Sequence, residues 1–187
     1  MKKPLTILLV CLALTACERE AGGNEAANAG AQASDAKPAK EKIGAALADS
    51  ADHRTLSQAL EISGLEATLS ADQPYTLFAP TDAAFAKLPS GGAPNLLRPE
   101  NKAQLVDLLR GHIVPGLVTA SDLAGAIERG KGEAKLATVS GSTLVLTRDG
   151  GSTLLAGPGG SSARVVGDER LQSNGAIHAV DGVLLPK

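Results

Sequence analysis

Hydrophobic and polar residues divide the chain into three zones. A largely apolar run occupies residues 5–14, and residues 18–42 contain no Val, Ile, Leu, Met, Phe, Tyr, Trp or Cys. From Ile43 onward, apolar residues recur first at helical and then at strand intervals. The pattern predicts an N-terminal targeting segment, a linker and one folded domain over residues 43–187.

Helical spacing dominates the first half of this domain. Asp52 is placed to cap a helix that runs to about Ser63, with leucines one turn apart on its buried face. A second helix is predicted from about Pro99, which suits a first helical turn, to about Arg110. His112 then either joins the inner face of that helix or opens the next strand.

A third helix follows, with two candidate caps. Thr119 or Ser121 can cap it, Leu123 and Ile127 form its inner face, and Gly130 can end it. The sequence predicts that this helix closes the helical half of the domain.

Shorter alternation replaces the helical period in the second half. Asp149-Gly150 is the predicted hairpin turn between two strands. Helices followed by strands indicate an α+β architecture with a largely antiparallel sheet or a twisted sandwich. The predicted strands cover residues 136–138, 143–147, 152–155, 165–166 and 176–180.

The residues around Pro80 predict a strand, a turn and a helix start in close succession. Residues 75–79 favour a strand, and Pro80 ends it. Thr81 is placed to cap a short helix, and Asp82 adds negative charge to its first turn. Pro80 and Phe85 occupy the two positions of a hydrophobic staple, which would fix the entry of the chain into the helix.

Composition narrows the range of partners. The chain has 187 residues, with 18 basic and 20 acidic side chains and a formal net charge of −2, so it lacks the basic surface typical of nucleic-acid-binding proteins. Its aromatic residues are two Phe and one Tyr, which leaves few surfaces on which bases or flat cofactors could stack. Because Tyr75, Phe78 and Phe85 lie close together in sequence, we expect one packing nucleus there. We expect no nucleic-acid partner and no cofactor.

The first residues predict export from the cytoplasm. Lys2 and Lys3 precede the apolar run, and small residues follow it, which is the order of a secretory signal peptide. The run is about half as long as the roughly twenty residues that cross a bilayer as a helix. Residues 14–17, Leu-Thr-Ala-Cys, resemble a bacterial lipobox, which implies a signal peptide over residues 1–16 and a lipid on Cys17. The alternative is an ordinary secreted protein with an incidental Cys.

A lipid on Cys17 would change the chemistry available to the mature chain. Cleavage would remove Cys11, so no thiol would remain for a disulfide, a metal site or a nucleophile. Residues 17–42 are predicted to be the lipidated Cys and a disordered tether with a reach of roughly 25–30 Å. A helix is the alternative for this segment, although three glycines and Pro38 interrupt it.

The candidate chemical groups favour structural roles. The three histidines have neither the spacing nor the neighbours of a metal site. No Gly-x-Ser-x-Gly elbow is present for a serine hydrolase, and the glycine-rich residues 157–162 lack the Lys of a phosphate-binding loop, so we interpret them as a flexible loop. His178 and Asp181 are close enough in sequence to form a local hydrogen-bonded pair.

Two segments resemble the signatures of a known family. Residues 75–85, Tyr-Thr-Leu-Phe-Ala-Pro-Thr-Asp-Ala-Ala-Phe, closely resemble the first signature of the fasciclin domain. Residues 173–186, Ser-Asn-Gly-Ala-Ile-His-Ala-Val-Asp-Gly-Val-Leu-Leu-Pro, resemble the second, and residues 112–116, His-Ile-Val-Pro-Gly, also fit. The resemblance covers roughly residues 43–187. It implies an α+β fold in which several helices pack against a β-sandwich or wedge.

The resemblance also implies a function class and roles for residues. Fasciclin domains usually serve in cell adhesion and in extracellular or envelope interactions, and in general they are not enzymes. By this similarity, residues of the first signature organise the turn after the strand, and residues of the second fix the last strands. These residues are Thr81, Asp82 and Phe85 in the first signature, and Asn174, His178 and Asp181 in the second.

Two departures limit what can be carried over from the family. Gly111-His112 stands where some animal members have a Tyr-His pair that contributes to integrin binding, so that activity is not carried over. Glu169-Arg170 replaces an Asp-Ile pair often seen before the second signature, so partner-binding residues are not transferred there either.

These observations lead to one main hypothesis and two alternatives. The main hypothesis is an envelope lipoprotein, anchored to a membrane through its lipid, whose domain binds another protein or a matrix polymer without catalysis. If the cell is Gram-negative, Glu18 after Cys17 favours the outer membrane, because Asp is the residue usually linked to inner-membrane retention. The alternatives are a carrier of a small apolar ligand in a cleft between helices and sheet, and a hydrolase that depends on His178.

Overall fold

A computed structural model describes residues 39–89 and 92–186. The described part contains short helices in its first two thirds and most of its strands in the last third. The helices are α1 (Ile43–Ala48), α2 (Arg54–Ser63), α3 (Glu66–Leu69), α4 (Asp82–Ala86), α5 (Gly92–Leu96), α6 (Lys102–Arg110) and α7 (Ala120–Arg129), with a 3-10 turn at Pro99–Asn101. The strands are β1 (Tyr75–Pro80), β2 (Ile113–Pro115), β3 (Glu133–Ala137), β4 (Thr143–Asp149), β5 (Ser152–Ala156), β6 (Ser162–Arg164), β7 (Arg170–Gln172) and β8 (Gly175–Val180).

The strands form two four-stranded sheets. Sheet A has the order β2-β1-β8-β7, and sheet B has the order β3-β4-β5-β6. The pairing of β1 with β8 is parallel, and the other strand pairs within the two sheets are antiparallel. The predicted α+β class with a largely antiparallel sheet is therefore confirmed.

Alternate side chains of sheet A enter two different cores. One face contributes Leu77 and Ile177 to a helical core, which we define as the buried cluster between sheet A and helices α1–α4 and α6. The opposite face contributes Phe78 and Val180 to a sheet core, the cluster between sheet A, sheet B and α7. Because successive side chains of a strand point to opposite faces, β1 and β8 serve both cores at once.

The helix boundaries match the sequence where the capping group is local. Thr119 caps α7 in a capping box with Asp122, so the first of the two candidate caps is the one used, and Gly130 follows the last turn. The second predicted helix begins as the 3-10 turn at Pro99–Asn101 and continues as α6. The short helices α1, α3 and α5 were not predicted as separate elements, because four to six residues give too little periodicity.

The β4–β5 hairpin forms with its turn one residue later than predicted. Asp149 pairs with Ser152, so the two turn residues are Gly150 and Gly151 rather than Asp149 and Gly150. Both glycines have positive φ, at 57° and 91°, as a type I′ hairpin turn requires. With two glycines in succession, the strand could extend through Asp149.

The last part of sheet B also departs from the expectation. The strand predicted at residues 165–166 lies earlier, at β6, and Val165 forms only an isolated bridge with Val180. The glycine-rich residues 157–162 are not free of contacts. A Cβ on Gly159 would lie 2.7 Å from the carbonyl oxygens of Leu185 and Pro186, so this turn packs closely on the C-terminal segment.

The folded domain begins before Ile43. The N–H of Ala39 donates to the Leu171 carbonyl at 2.9 Å, and the N–H of Ser173 donates to the Glu41 carbonyl at 2.9 Å. Lys42 also donates to the Ser70 carbonyl at 2.8 Å. Residues 39–42, which the sequence analysis assigned to the tether, thus lie along the edge of sheet A at β7. The apolar pattern missed them because their contacts are polar, made by the backbone at Ala39 and Glu41 and by the side-chain ammonium of Lys42.

Candidate functional site

The two signature segments, far apart in sequence, lie side by side at the centre of sheet A. The parallel register places Tyr75 opposite Gly175 and Phe78 opposite His178. The rings of Phe78 and His178 stack with a centroid distance of 5.5 Å and an interplanar angle of 26°. The signatures are therefore one structural unit.

Thr81 and Asp82 organise two helix starts. The Thr81 hydroxyl accepts from the Ala84 N–H at 3.3 Å, so the predicted cap of α4 is confirmed. The Asp82 carboxylate accepts from the Thr55 N–H at 2.8 Å, at the start of α2. Partial burial alone would raise the pKa of Asp82. The hydrogen bonds from Thr55 and Arg54 outweigh this effect, so the pKa is lowered.

The predicted capping role of Asp52 is wrong. His53 is the N-cap residue of α2 and makes no side-chain capping bond, whereas the Asp52 carbonyl accepts from the Asp82 N–H at 2.9 Å. Asp82 therefore supplies the carboxylate that we expected from Asp52. The first signature thereby fixes α2 as well as its own helix.

Asn174 ties the turn between β7 and β8 to the helical half of the domain. Its Oδ1 accepts from the Ile43 N–H at 2.9 Å. Its Nδ2 donates to the carbonyls of Leu69 and Ala71, both at 2.7 Å. With 6% of its surface exposed, Asn174 completes the ends of α1 and α3 from within the domain.

The expected local pair between His178 and Asp181 does not form. His178 Nε2 donates instead to the Val118 carbonyl at 2.8 Å. Asp181 accepts from the Arg164 N–H at 2.8 Å and donates its own N–H to the Arg164 carbonyl at 3.0 Å. The pair does not form because the two side chains lie in different places. His178 points into the core beside Phe78, whereas Asp181 lies beyond the end of β8 and joins that strand to β6.

His112 lies immediately before β2 and is fully buried. Its Nδ1 donates to the Leu108 carbonyl at 2.9 Å, and its Nε2 accepts from the Leu184 N–H at 3.0 Å. Burial lowers the pKa of His112 to about 4. The ring therefore links α6 to the C-terminal segment as a neutral imidazole and has no exposed surface with which to contact a partner.

The aromatic residues do not form the single nucleus that we expected. Phe78 lies in the sheet core, whereas Phe85 lies in the helical core, where Tyr75 also packs at its margin. Pro80 is buried at the end of β1. The reason is that successive side chains of β1 point to opposite faces of sheet A, so Phe78 points away from helices α1–α4 and α6 and toward sheet B and α7.

A loop that the sequence analysis missed is held by both signature strands. The Thr76 hydroxyl on β1 donates to the Gly116 carbonyl and accepts from the Val118 N–H, each at 2.8 Å. His178 on β8 binds the Val118 carbonyl, as described above. Leu117, between these fixed residues, is 52% exposed. An apolar residue beside a turn glycine, Gly116-Leu117, is the signal that could have identified it.

The start of α7 beside this loop is fixed by Glu169. The Glu169 carboxylate accepts from the Ala120 N–H at 2.7 Å, at the first residue of α7. Negative charge is favourable there because the N–H groups of the first turn point outward. The departure from the family pattern at Glu169-Arg170 thus has a structural role in this chain.

A cleft lies near the second signature. It has a volume of about 430 Å³ and lies between the end of α4 and β6, with Asp181–Val183 along it. Lys87 approaches Asp181 to 3.8 Å across it, and Arg164 also lines it. The cleft is therefore lined by both charged and apolar side chains, the latter including Leu88, Leu154 and Leu185.

Residues 39–89 and 92–186 contain neither a metal-binding cluster nor a membrane-spanning helix. No group of three or more His, Cys, Asp or Glu side chains there is placed to hold a metal ion. Within the same residues, no helix is both long and apolar enough to cross a membrane. The predicted signal peptide, Cys17 and the tether as far as residue 38 lie outside the described residues.

Known proteins resemble this chain in sequence. The pattern that defines the fasciclin domain matches residues 51–186. Protein sll1483 from Synechocystis sp. (strain ATCC 27184 / PCC 6803 / Kazusa) is 37% identical over 132 residues, which make up 71% of this chain and 66% of that protein. Transforming growth factor-beta-induced protein ig-h3 from Sus scrofa is 33% identical over 132 residues, or 71% of this chain and 17% of that protein.

A solved structure has the same fold. The FAS1 domain pair of the insect cell adhesion molecule Fasciclin I superposes with a TM-score of 0.67 at 19% identity, over 78% of this chain and 51% of the pair. This chain thus spans about two thirds of the cyanobacterial relative and about half of the solved pair. With both signatures joined in one sheet and the domain pattern matched over residues 51–186, the chain belongs to the fasciclin domain family.

Proposed function

We propose that this protein is a lipid-anchored protein of the cell envelope whose fasciclin domain is a non-enzymatic adhesion or interaction module. Its partner is another protein or a matrix polymer. Family membership supports the interaction role, since the solved relative is a cell adhesion molecule. The order of residues 1–17 supports export and lipidation of Cys17.

The observation that carries the interaction role is the use of the signature side chains. The side chains of Thr76 and His178 form hydrogen bonds with the backbone of the loop Gly116–Val118. They hold in place a loop whose one exposed large apolar side chain is Leu117. A preorganised apolar side chain on a fixed loop is what a protein-binding surface needs at its centre, because little conformational entropy is lost on binding.

The described histidines are poorly placed for hydrolysis. His178 Nε2 is bound to a carbonyl, and its Nδ1 is buried without a partner among the described residues. Ser50 and His53 are in contact at 2.9 Å, but among the described residues no carboxylate is hydrogen-bonded to His53 to orient the ring as in a catalytic triad. This geometry supports the non-enzymatic proposal.

The interaction role is tested by comparing the two exposed large hydrophobic residues of the described chain. Leu117→Asp should abolish binding of the protein to native envelope material, whereas Val139→Asp, at a residue 39% exposed, should leave it unchanged. Thermal melts must match the unsubstituted protein in both cases. Equal binding by both variants would remove Leu117 from the interaction surface.

The anchor is tested separately. Cys17→Ser should release the protein from the membrane fraction, and mass spectrometry of the unsubstituted protein should find acyl chains at its amino terminus. Acyl chains stabilise membrane attachment by about 0.8 kcal/mol per buried methylene group. A Cys17→Ser protein that stays in membranes, or an unacylated amino terminus, would contradict the anchor. For a Gram-negative source we propose the outer membrane, on the basis of Glu18.

A further inference from the structure

Asn174 is fixed by three hydrogen bonds that only a carboxamide can make together. Its Oδ1 accepts from one backbone N–H, of Ile43, and its Nδ2 donates to two carbonyls, of Leu69 and Ala71. A carboxylate has no donor for the two carbonyls, and a hydroxyl has only one proton, so it cannot donate to both. The contacts with the helical half therefore require a carboxamide at this position, and the short side chain of Asn places it at 2.7–2.9 Å from all three backbone groups.

Glycine is required at position 175 because there is no space for a side chain. Its φ is 152°, and a Cβ there would lie 1.8 Å from the Tyr75 carbonyl oxygen and 2.8 Å from Ile43 Cδ1. The parallel pairing of β1 with β8 at this point needs a bare backbone. Two independent packing requirements therefore place Asn directly before Gly.

We propose that Asn174 is a site of spontaneous deamidation that reacts only while the domain is opened or unfolded. The fraction of deamidated chains therefore increases with the time that the protein has spent unfolded. The backbone nitrogen of Gly175, after losing its proton, attacks Asn174 Cγ, and the new N–Cγ bond replaces the Cγ–Nδ2 bond as ammonia leaves. Water then opens the resulting five-membered imide at either carbonyl, which gives aspartate or isoaspartate. Glycine permits this attack because no side chain shields its nitrogen.

The folded domain suppresses the first step. The attack requires Asn174 Cγ to swing toward the following backbone nitrogen, and the three hydrogen bonds hold the carboxamide against the ends of α1 and α3. Asn174 is also 6% exposed and Gly175 is buried, so water has little access to the site. Reaction therefore requires an opened or unfolded state.

The modified residue cannot restore the native contacts. An aspartate at position 174 would place a buried, charged oxygen against the carbonyls of Leu69 and Ala71, which the amide nitrogen now contacts at 2.7 Å. An isoaspartate would lengthen the backbone by one methylene group between β7 and β8 and shift Gly175 out of register with Tyr75. Each modified chain is thus removed from the population that can refold.

The test compares deamidation in the native and unfolded states of the full-length protein. Samples are held at mildly alkaline pH with and without urea, then digested with trypsin. The C-terminal peptide, residues 171–187, contains Asn174 as its sole Asn, and fragmentation separates it from Gln172. Deamidation should be at least about tenfold slower in the native sample. Equal rates in the two samples would overturn the protection.

Two controls separate the chemistry from the fold. In urea, Gly175→Ala should slow the reaction because its methyl group hinders attack, whatever that variant does when folded. Asn95, exposed and followed by Leu96, should remain unmodified over the same period in both states. After refolding by dilution, the protease-resistant fraction should be depleted of modified chains. An equal share of modified chains in the resistant and digested fractions would refute the block on refolding.

Discussion

Acid should weaken the domain through His112, the buried histidine between α6 and the C-terminal segment. Burial lowers the pKa of His112 from 6.5 to about 4 in the folded protein, whereas its value in the unfolded chain is about 6.5. Between these values the unfolded state binds the proton and the folded state does not. The free energy of unfolding therefore falls as the pH drops from about 6.5 to about 4, and above that window the ring contributes no pH dependence.

The size of the loss follows from the difference in pKa. It corresponds to about 3 kcal/mol at the acid end of the window, against a total of about 5–15 kcal/mol for a domain of this kind. Protonation has this effect because Nε2 must remain unprotonated to accept from the Leu184 N–H. A charged ring would also be buried without a carboxylate among its hydrogen-bond partners in the described residues.

Urea unfolding, followed by circular dichroism in steps from pH 7 to pH 4, measures this effect against a His112→Gln variant. Glutamine can donate one hydrogen bond and accept one, but it does not titrate. Asp82, Asp122, His53 and His178, whose pKa values are also lowered, are common to both proteins. The unsubstituted protein should lose about 3 kcal/mol more than the variant. Equal losses, or an NMR titration of His112 near pH 6.5 in the folded state, would refute the reasoning.

Three substitutions test the structural roles of the signature residues. Phe78→Ala should lower the free energy of unfolding by about 3–5 kcal/mol through a cavity in the sheet core, and an unchanged melt would place the ring outside that core. Asp82→Ala should lower the free energy of unfolding by about 0.5–2 kcal/mol, because the Thr55 N–H loses its acceptor. In urea unfolding, Asp82→Asn should lower it much less, since the amide oxygen can still accept, and equal losses for the two variants would contradict an acceptor role. His178→Ala should lower the free energy of unfolding by about 1–3 kcal/mol, because the Val118 carbonyl loses its hydrogen-bond donor. A variant that lost substrate turnover at unchanged stability would instead show that His178 is catalytic.

Local signals in the sequence predicted where helices begin and end. The hydrogen-bond partners of the signature residues could not be predicted in this way, because they lie far away in the sequence. The caps at Thr81 and Thr119 and the end of α7 at Gly130 involve residues within one turn, so sequence spacing was sufficient. The Asp82 contact with Thr55 crosses 27 positions, and the Asn174 contact with Ile43 crosses 131. No local pattern encodes such partners, because they depend on how the sheets and helices pack.

The misplaced details have similar causes. The hairpin turn lies one residue later than predicted because Asp149 pairs with Ser152, and Gly150 and Gly151 together take the positive φ angles of the turn. The three residues of β7 carry too little alternation to be identified. The loop at Leu117 was missed because Thr76 and His178 lie in strands whose faces could be assigned only after the parallel pairing of β1 with β8 was known.

The backbone contacts of residues 39–42 have a mechanical consequence if the protein is anchored as proposed. Under the proposed anchoring at Cys17, a partner that pulls on the domain applies tension where the chain meets β7, at the bonds Ala39–Leu171 and Glu41–Ser173. These two bonds lie at the sheet margin and can peel away while both cores remain intact. Their release would lengthen the connection to the membrane by roughly 13 Å. Under that anchoring, the segment would act as a short extensible link that lengthens before the two cores are strained.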